Sequence, residues 1–197
     1  LVIDGNVIVD NDAVSTTRFD TVTGADGASL TFTGGAVDLS GVTLVDLDSI
    51  VGASSSETFA LSAATSGLDG LTISSKGKII FNETGKSITE DYADYAGLTL
   101  TGSNVSAEVN GQVALDQDTV SGLKSIVGVT GTDNDIWVSS DLNLSTITTL
   151  TNVAIQDSSA NNAITGASTG GTYNFTKGGT DTFTSSGKDD TLTITAS

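Results

Sequence analysis

A short leucine-led segment recurs along this chain. Residues 123–128 (LKSIVG) match residues 47–52 (LDSIVG) almost letter for letter. Looser copies begin at Leu68 and Leu150, and a weaker one begins at Leu98, so successive copies start about 20 to 30 residues apart. A step of this size is typical of one winding in a stacked-repeat fold. The repeat therefore limits the chain to architectures in which similar units stack on one another.

The composition favours short strands joined by many turns. Hydrophobic residues make up only 37% and aromatic residues 5% of the 197 residues. β-Branched residues suit strands, whereas Gly, Asn and Asp suit the corners between them. Leu30 and Phe32 alternate with threonines, which gives one buried and one solvated face. Together with the repeat, these features predict an all-β fold, a parallel β-solenoid of the β-helix or β-roll type with Gly/Asp turns.

An antiparallel β-sandwich is the alternative fold. Sandwich strands also recur at short intervals, roughly every 8 to 12 residues. Windings that contact only their neighbours account better for the longer repeat, so the solenoid is preferred. Helix is predicted only for residues 87–95, within an acidic segment that interrupts the rhythm.

The N-terminal residues differ from the rest in being strongly apolar. Two apolar triplets, residues 1–3 and 7–9, flank the turn signal Asp4-Gly5-Asn6. A terminal strand this apolar is either covered by the rest of a larger protein or used to join a neighbouring subunit. We therefore divide the chain into N-terminal strands with a possible assembly role, residues 1–35, and a repeat-based β domain, residues 36–197.

The net charge of −17 comes from 24 carboxylates and 7 basic residues. The electrostatic field of such a negative charge repels nucleic acid and anionic membrane surfaces, so neither is expected as a partner. It also favours bound cations, and hard oxygen ligands favour Ca²⁺ over Zn²⁺. No run of about 18 apolar residues exists, so no membrane-spanning segment is expected. We expect the chain to be a mature or excised segment of a secreted precursor.

Several classes of enzyme site are excluded by residue type. The chain has no Cys and no His, which excludes structural zinc sites, iron–sulfur clusters, disulfides and Ser-His or Cys-His nucleophile systems. A two-carboxylate glycosidase is compatible with the residue types, but no pair is singled out. Carbohydrate-active β-helix enzymes pair carboxylates with Arg or Lys, and Arg18 is the only arginine. We expect a protein without enzymatic activity.

Three Gly/Asp turns could carry metal chemistry. Residues 131–136, 178–183 and 187–192 each place Gly before carboxylates and an apolar residue just after them. They resemble the calcium-binding nonapeptide of repeats-in-toxin proteins, in which successive turns hold Ca²⁺ between them. The resemblance implies Ca²⁺ ligands at Asp133, Asp135, Asp181, Asp189 and Asp190. These turns are not in tandem and lack the middle Gly of the nonapeptide, which implies isolated Ca²⁺ sites and not a regular row of ions. The alternative to metal binding is that the Asp and Asn side chains only cap turns.

Most of the chain is similar in style to the Thr/Asn/Gly-rich β-solenoid regions of bacterial surface-layer proteins and calcium-dependent adhesins. That resemblance implies an extracellular, cell-surface, structural protein that assembles with itself into a surface layer or fibre, with cell-surface polysaccharide as a further partner. The alternative is an adhesin module that recognises glycans or host surfaces. Asp116-x-Asp118 is a weaker metal candidate of the same kind as the Gly/Asp turns.

Overall fold

The protein is a parallel β-solenoid of about eight turns. The computed structural model describes residues 1–9, 20–25, 27–83, 93–157, 161–176, 179–187 and 189–195. Every strand pair in this part of the chain is parallel, as in the register of β4 on β7 or of β15 on β18. The solenoid prediction is confirmed, and the antiparallel sandwich is wrong.

The described strands are short, mostly two to six residues, and one five-residue helix interrupts them. In chain order they are β1 (Val2–Ile3), β2 (Asn6–Val9), β3 (Thr21–Gly24), β4 (Ser29–Phe32), β5 (Ala36–Asp38), β6 (Thr43–Val45), β7 (Ser49–Gly52), β8 (Thr58–Ser62), β9 (Thr72–Ser74), β10 (Lys78–Glu83), β11 (Ala93–Asp94), β12 (Thr99–Thr101), β13 (Val105–Ala114), α1 (Gln117–Ser121), β14 (Leu123–Gly128), β15 (Asp135–Val138), β16 (Leu142–Asn143), β17 (Thr149–Thr151), β18 (Ala154–Asp157), β19 (Ala163–Thr165), β20 (Thr172–Phe175), β21 (Thr182–Thr184) and β22 (Thr191–Ile194).

From β3 to β17 the chain visits three flanks in a constant order, and after β17 no described strand lies on the third flank. The first flank is formed by sheet A (β1, β3, β6) and then by sheet D (β11, β13, β15, β18, β20, β22). The second is formed by sheet B (β2, β4, β7, β9, β12), then α1, then sheet E (β16, β19, β21). The third is sheet C (β5, β8, β10, β13, β14, β17), with β13 long enough to run from sheet C into sheet D.

The core consists of columns of apolar side chains that stack from winding to winding. In sheet B the column is Val7, Leu30, Ile50, Ile73 and Leu100. Sheet D continues the same principle with Val113, Ile136, Ile155, Tyr173 and Leu192. Buried members of these columns belong to one continuous hydrophobic cluster. Because each column needs an inward residue at every second position, the alternating sequence pattern suffices to build it.

Several corners are β-turns that bury an apolar residue at each end. Val42 N donates to Leu39 O at 3.1 Å and Leu71 N donates to Leu68 O at 3.1 Å. The third residue of both turns is glycine, Gly41 and Gly70, with φ of 78° and 75°, the conformation that a type II turn requires. The corner at residues 144–147 closes with the same kind of hydrogen bond, from Ile147 N to Leu144 O at 2.8 Å, but without a glycine.

The predicted alignment of the repeats is wrong in register. The near-identical segments at residues 47–52 and 123–128 lie in different sheets, since β7 belongs to sheet B and β14 to sheet C. In addition, Ile50 pairs with Ile73, whereas matching Leu47 to Leu68 would pair it with Leu71. The segment contains an inward Ile and a closing Gly, which fit either flank, so similarity alone does not determine its place.

The helix prediction for residues 87–95 falls largely outside the described residues, and Ala93–Asp94 is strand β11. The helix that is present, Gln117–Ser121, follows the N-cap Asp116, whose side chain accepts a hydrogen bond from Thr119 N. No helix in the described part of the chain has the length and apolar character to cross a membrane.

Strand pairing continues across the predicted division at residue 35. β4 pairs in register with β7, and β3 pairs with β6. The assembly role of residues 1–35 stays a prediction.

Candidate functional site

Asp133 and Asp135 lie on a corner between sheets C and D, and they have different environments. Gly131, with φ of 85°, turns the chain, Asp133 is exposed, and Asp135 is buried as the first residue of β15. Asp135 Oδ1 accepts a hydrogen bond from Gln156 Nε2 at 2.7 Å. Burial raises the pKa of Asp135; the bond from Gln156 opposes the rise, and the charge of Asp133 adds to it.

Asn134, between these two aspartates, joins three windings. Its Oδ1 accepts from Gly111 N at 3.0 Å, and its Nδ2 lies 3.0 Å from Asn152 O. The same Nδ2 lies 2.9 Å from both Val129 O and Thr132 O. Because the amide is buried, it satisfies backbone groups that water cannot reach. Sequence analysis passed over this residue, although an Asn directly before a strand is a turn signal.

Asp181 lies at another corner and is used structurally. Its Oδ1 accepts from Asn162 N at 2.9 Å, which ties the winding of β21 to that of β19. Asn162 itself is buried and donates from Nδ2 to Asp157 Oδ1 at 2.6 Å. The side chain of Asp181 therefore behaves as a turn cap, the alternative to a metal ligand.

Asp189 and Asp190 precede the last described strand. Asp189 is exposed with φ of 61°, and Asp190 Oδ2 accepts a hydrogen bond from Ser185 Oγ. Asp190 Oδ1 is buried without a hydrogen-bond partner. Burial raises the pKa of Tyr173; the hydrogen bond from Ala167 N opposes this, and the charge of nearby Asp190 adds to it.

The five candidate ligands thus lie at three separate corners. Among the described residues, no three carboxylates come close enough to hold a metal ion together. A Ca²⁺ site at one of these corners would need backbone carbonyls or water in addition. The orphaned Oδ1 of Asp190 fits such a site better than the capped oxygen of Asp181 does. Calcium binding stays a prediction.

Other buried polar groups hold the corners, and sequence analysis missed most of them. Thr119 Oγ1 donates within the fold to Leu98 O at 2.9 Å, and Tyr95 Oη donates to Glu83 Oε1 at 2.5 Å. Burial raises the pKa of Tyr95, as do the hydrogen bond to Glu83 and its charge. Asp116, predicted as a weak metal candidate, is instead a cap. Partial burial raises its pKa, but hydrogen bonds from Thr119 N and Gly97 N outweigh this and lower it.

A cleft of about 500 Å³ opens beside Asp133. Its walls are the corner at residues 129–134 and the edges of the next two windings, including Thr151, Asn152 and Thr172. Hydroxyl, amide and carboxylate groups line it, and no aromatic ring does.

The two ends of the solenoid expose apolar side chains. Six large hydrophobic residues of the described chain are exposed, and five of them lie in the first or last winding: Leu1, Val2, Ile8, Leu192 and Ile194. At the C-terminal end, a cavity of about 360 Å³ is lined by Phe175, Phe183, Leu192 and Ile194, with Asp181 at its rim. Such clusters of exposed apolar groups are typical of contact surfaces.

Comparisons with protein-family models, with curated proteins and with solved structures found no match.

Proposed function

We propose that this chain is a structural protein that assembles with itself outside a bacterial cell, as part of a surface layer or fibre. The observation that carries the proposal is the stacked-repeat fold of the described residues, in which parallel windings share one apolar core and carboxylates such as Asp116 and Asp181 hold the corners. Solenoids of stacked units present extended surfaces for binding, which a second copy of the chain can use.

The charge distribution supports this role. Carboxylates concentrate at corners, for example Asp46, Asp69 and Asp133, whereas the outward positions of sheet B carry no charge. A chain of net charge −17 repels its own copies in solution. Cations that neutralise the corners would weaken this repulsion, and Ca²⁺ at the corner of Asp190 would also satisfy the buried Oδ1.

The proposed role is non-enzymatic. Without His or Cys, the chain has no nucleophile and base pair of the common kinds. The buried carboxylate of Asp135 and the partly buried carboxylate of Asp181 accept hydrogen bonds from Gln156 and from Asn162. These contacts stabilise the fold, and they are what a structural protein needs.

Electron microscopy tests the proposal. The purified chain is examined at increasing protein concentration, with Ca²⁺ and with a chelator at matched ionic strength. Sheets or filaments with a regular repeat are the expected result. A protein that stays monomeric by analytical ultracentrifugation in every condition contradicts self-assembly.

The alternative is an adhesin module that recognises glycans. The cleft beside Asp133 favours it, because its hydroxyl, amide and carboxylate groups can hydrogen-bond to sugar hydroxyls. A glycan array probed with the labelled chain and with Asp133→Ala tests this role. Binding that depends on Asp133, by a protein that remains monomeric, would favour the adhesin over the structural protein.

A further inference from the structure

The outward side of sheet B carries two rows of small side chains, most of which bear a hydroxyl. The members of the first row are register partners from strand to strand, and they are Ser29, Ser49, Thr72 and Thr99. The second row lies two residues further along each strand and consists of Thr31, Val51, Ser74 and Thr101. The alternate residues of the same strands are buried, so both rows face away from the core. We call these two rows the hydroxyl face.

The hydroxyl groups of this face do not hold the fold together. At the corners, by contrast, Thr65 Oγ1 donates to Leu39 O at 2.9 Å and Thr119 Oγ1 donates to Leu98 O at 2.9 Å. None of the Ser and Thr hydroxyls on the face makes a hydrogen bond to another group of the described residues. All of these side chains are exposed or partly exposed, so their hydroxyls are available to water or to a ligand.

The hydroxyl face carries no charge, although the net charge of the chain is −17. Sheet C differs, because Asp38, Lys78 and Glu108 occupy outward positions there. The charged residues next to the hydroxyl face, such as Asp48 and Lys76, lie at the corners that bound it. The face also has no aromatic ring onto which a sugar ring could stack. It thus suits an uncharged ligand that hydrogen-bonds to hydroxyls and packs against methyl groups.

Strand geometry fixes the spacing of the two rows. Neighbouring strands lie about 4.8 Å apart, and alternate residues of one strand lie about 6.6 Å apart, since each residue advances about 3.3 Å. β4, β7, β9 and β12 pair without a register shift, so both spacings repeat across four strands. A two-dimensional array of this kind matches a lattice better than a single small molecule. Ice is such a lattice, because its oxygen atoms repeat at distances of similar size and each donates and accepts hydrogen bonds.

We propose that the hydroxyl face binds ice. The methyl groups of its Thr and Val side chains order the adjacent water, while the hydroxyls hydrogen-bond to that water and hold it in register with the two rows. A water layer with this repeat merges with the surface of an ice crystal and attaches the protein to it. A charged side chain would orient water around itself and disturb the layer, so an uncharged face is required. The inference goes beyond the proposed function and does not depend on it.

Partitioning into slowly growing ice and thermal hysteresis test the proposal. The purified chain is expected to enter the ice and to lower the freezing temperature of a seeded solution below its melting temperature. Thr72→Lys places a long charged side chain between Ser49 and Thr99, and it is expected to lose both activities. Thr149→Lys is the matched control, because Thr149 is an exposed, outward threonine of β17 in sheet C. It is expected to keep both.

Each outcome either supports or overturns the assignment of ice binding to this face. A chain that is excluded from ice and shows no hysteresis would overturn it and leave self-assembly standing, since electron microscopy measures assembly without ice. Thr101→Lys, at an exposed position of the second row, is a second variant in case Thr72→Lys does not fold, which far-UV spectra and melting temperatures reveal. Equal loss of ice binding in Thr149→Lys and the face variants would overturn the assignment, as would ice binding that no face variant reduces.

A crystalline polysaccharide is another uncharged lattice with hydroxyl groups, and a sedimentation assay with crystalline cellulose distinguishes it from ice. The chain, Thr72→Lys and Thr149→Lys are mixed with cellulose, and the protein left in the supernatant is measured. No binding to cellulose is expected, because the hydroxyl face has no aromatic ring. Binding to cellulose that Thr72→Lys abolishes, by a chain that does not enter ice, would overturn the ice proposal and assign the face to a polysaccharide.

Discussion

The sheet B stack and the windings around Asn134 are built from the same parallel strands but are stabilised differently. The sheet B stack, β2, β4, β7, β9 and β12, pairs without a register shift and has apolar side chains at its inward positions except at Gly52. In the windings from Gly111 to Asn162, the side chains of Asn134, Gln156 and Asn162 make further hydrogen bonds that are buried or partly buried. We call these the polar-anchored windings.

The difference concerns how register is specified. An apolar column requires that inward positions alternate, but it accepts another apolar residue two positions along. A buried amide such as Asn134 has particular partners, and a shifted register leaves them unsatisfied. The polar anchors lie where the path is least regular, with a register shift at Val105/Ser106 and α1 in place of a strand. Side-chain hydrogen bonds thus specify register where repetition does not.

The largest effect is expected for Asn134→Leu. The substitution leaves the buried Gly111 N without its acceptor and removes the donor to Asn152 O. Each orphaned buried group destabilises by roughly 1–3 kcal/mol, and two further carbonyls lose the same donor, so the combined loss should exceed that of a single core truncation. Urea denaturation measures it, and faster hydrogen exchange at Gly111 locates it. Asn110→Leu is the control, since the Asn110 side chain donates to the exposed Asn82 Oδ1; an equal loss in both variants would remove the distinction between the two regions.

The second effect is expected for Ile73→Ala in the sheet B stack. Ile73 is fully buried between Ile50 and Leu100, and truncation at such a site lowers the free energy of unfolding by about 2–5 kcal/mol. Val51→Ala, at an outward position of the same stack, should have a smaller effect. If the two variants unfold at the same urea concentration, the apolar column does not stabilise this region as described.

Calcium should act on one end of the molecule. If Asp190 binds Ca²⁺ with the millimolar to submillimolar affinity of extracellular modules, millimolar Ca²⁺ stabilises by roughly 0.4–1.4 kcal/mol. Chelation should then lower the melting temperature by several degrees and increase hydrogen exchange near Asp190, with no change in the sheet B stack. Asp190→Asn should remove most of this response. A melting temperature that is indifferent to chelator would retire the metal proposal.

The smallest effect is a pair of opposite pH dependences. The folded-state pKa of Asp116 is lowered, so its stabilisation is present above the unfolded pKa of about 3.9 and is lost as pH falls through the folded value. The folded-state pKa of Asp135 is raised, so its contribution is complete below about pH 3.9 and is lost as pH rises through the folded value.

The two Asp→Asn variants should therefore change stability in opposite directions. At neutral pH, Asp116→Asn is expected to destabilise and Asp135→Asn to stabilise, because an amide oxygen still accepts from Gln156. Both differences should shrink toward acid pH. Thermal melts between pH 3 and 7 measure them, and two variants with the same sign would contradict the assigned burial and capping.

The periodicity of the sequence predicted the fold. It did not predict hydrogen bonds between residues that are far apart in the chain. Short strands such as β10 and β20 follow from alternation. Asp is a common N-cap residue, and the Asp116 side chain accepts from Thr119 N, three residues further along, at the start of α1. The sequence analysis nevertheless interpreted Asp116 as a metal candidate. Asn134 has no local signal for Gly111 as its partner, which lies 23 residues away.

By itself, the sequence determined that this chain forms stacked parallel strands with acidic corners, because alternation, glycine turns and a winding-sized repeat are local properties. Only the tertiary structure decided which winding stacks on which, since segments such as residues 47–52 and 123–128 fit either flank. It also decided which polar groups are buried. Those outcomes depend on backbone hydrogen bonds between residues 18 to 28 positions apart, and local pattern does not specify such distances.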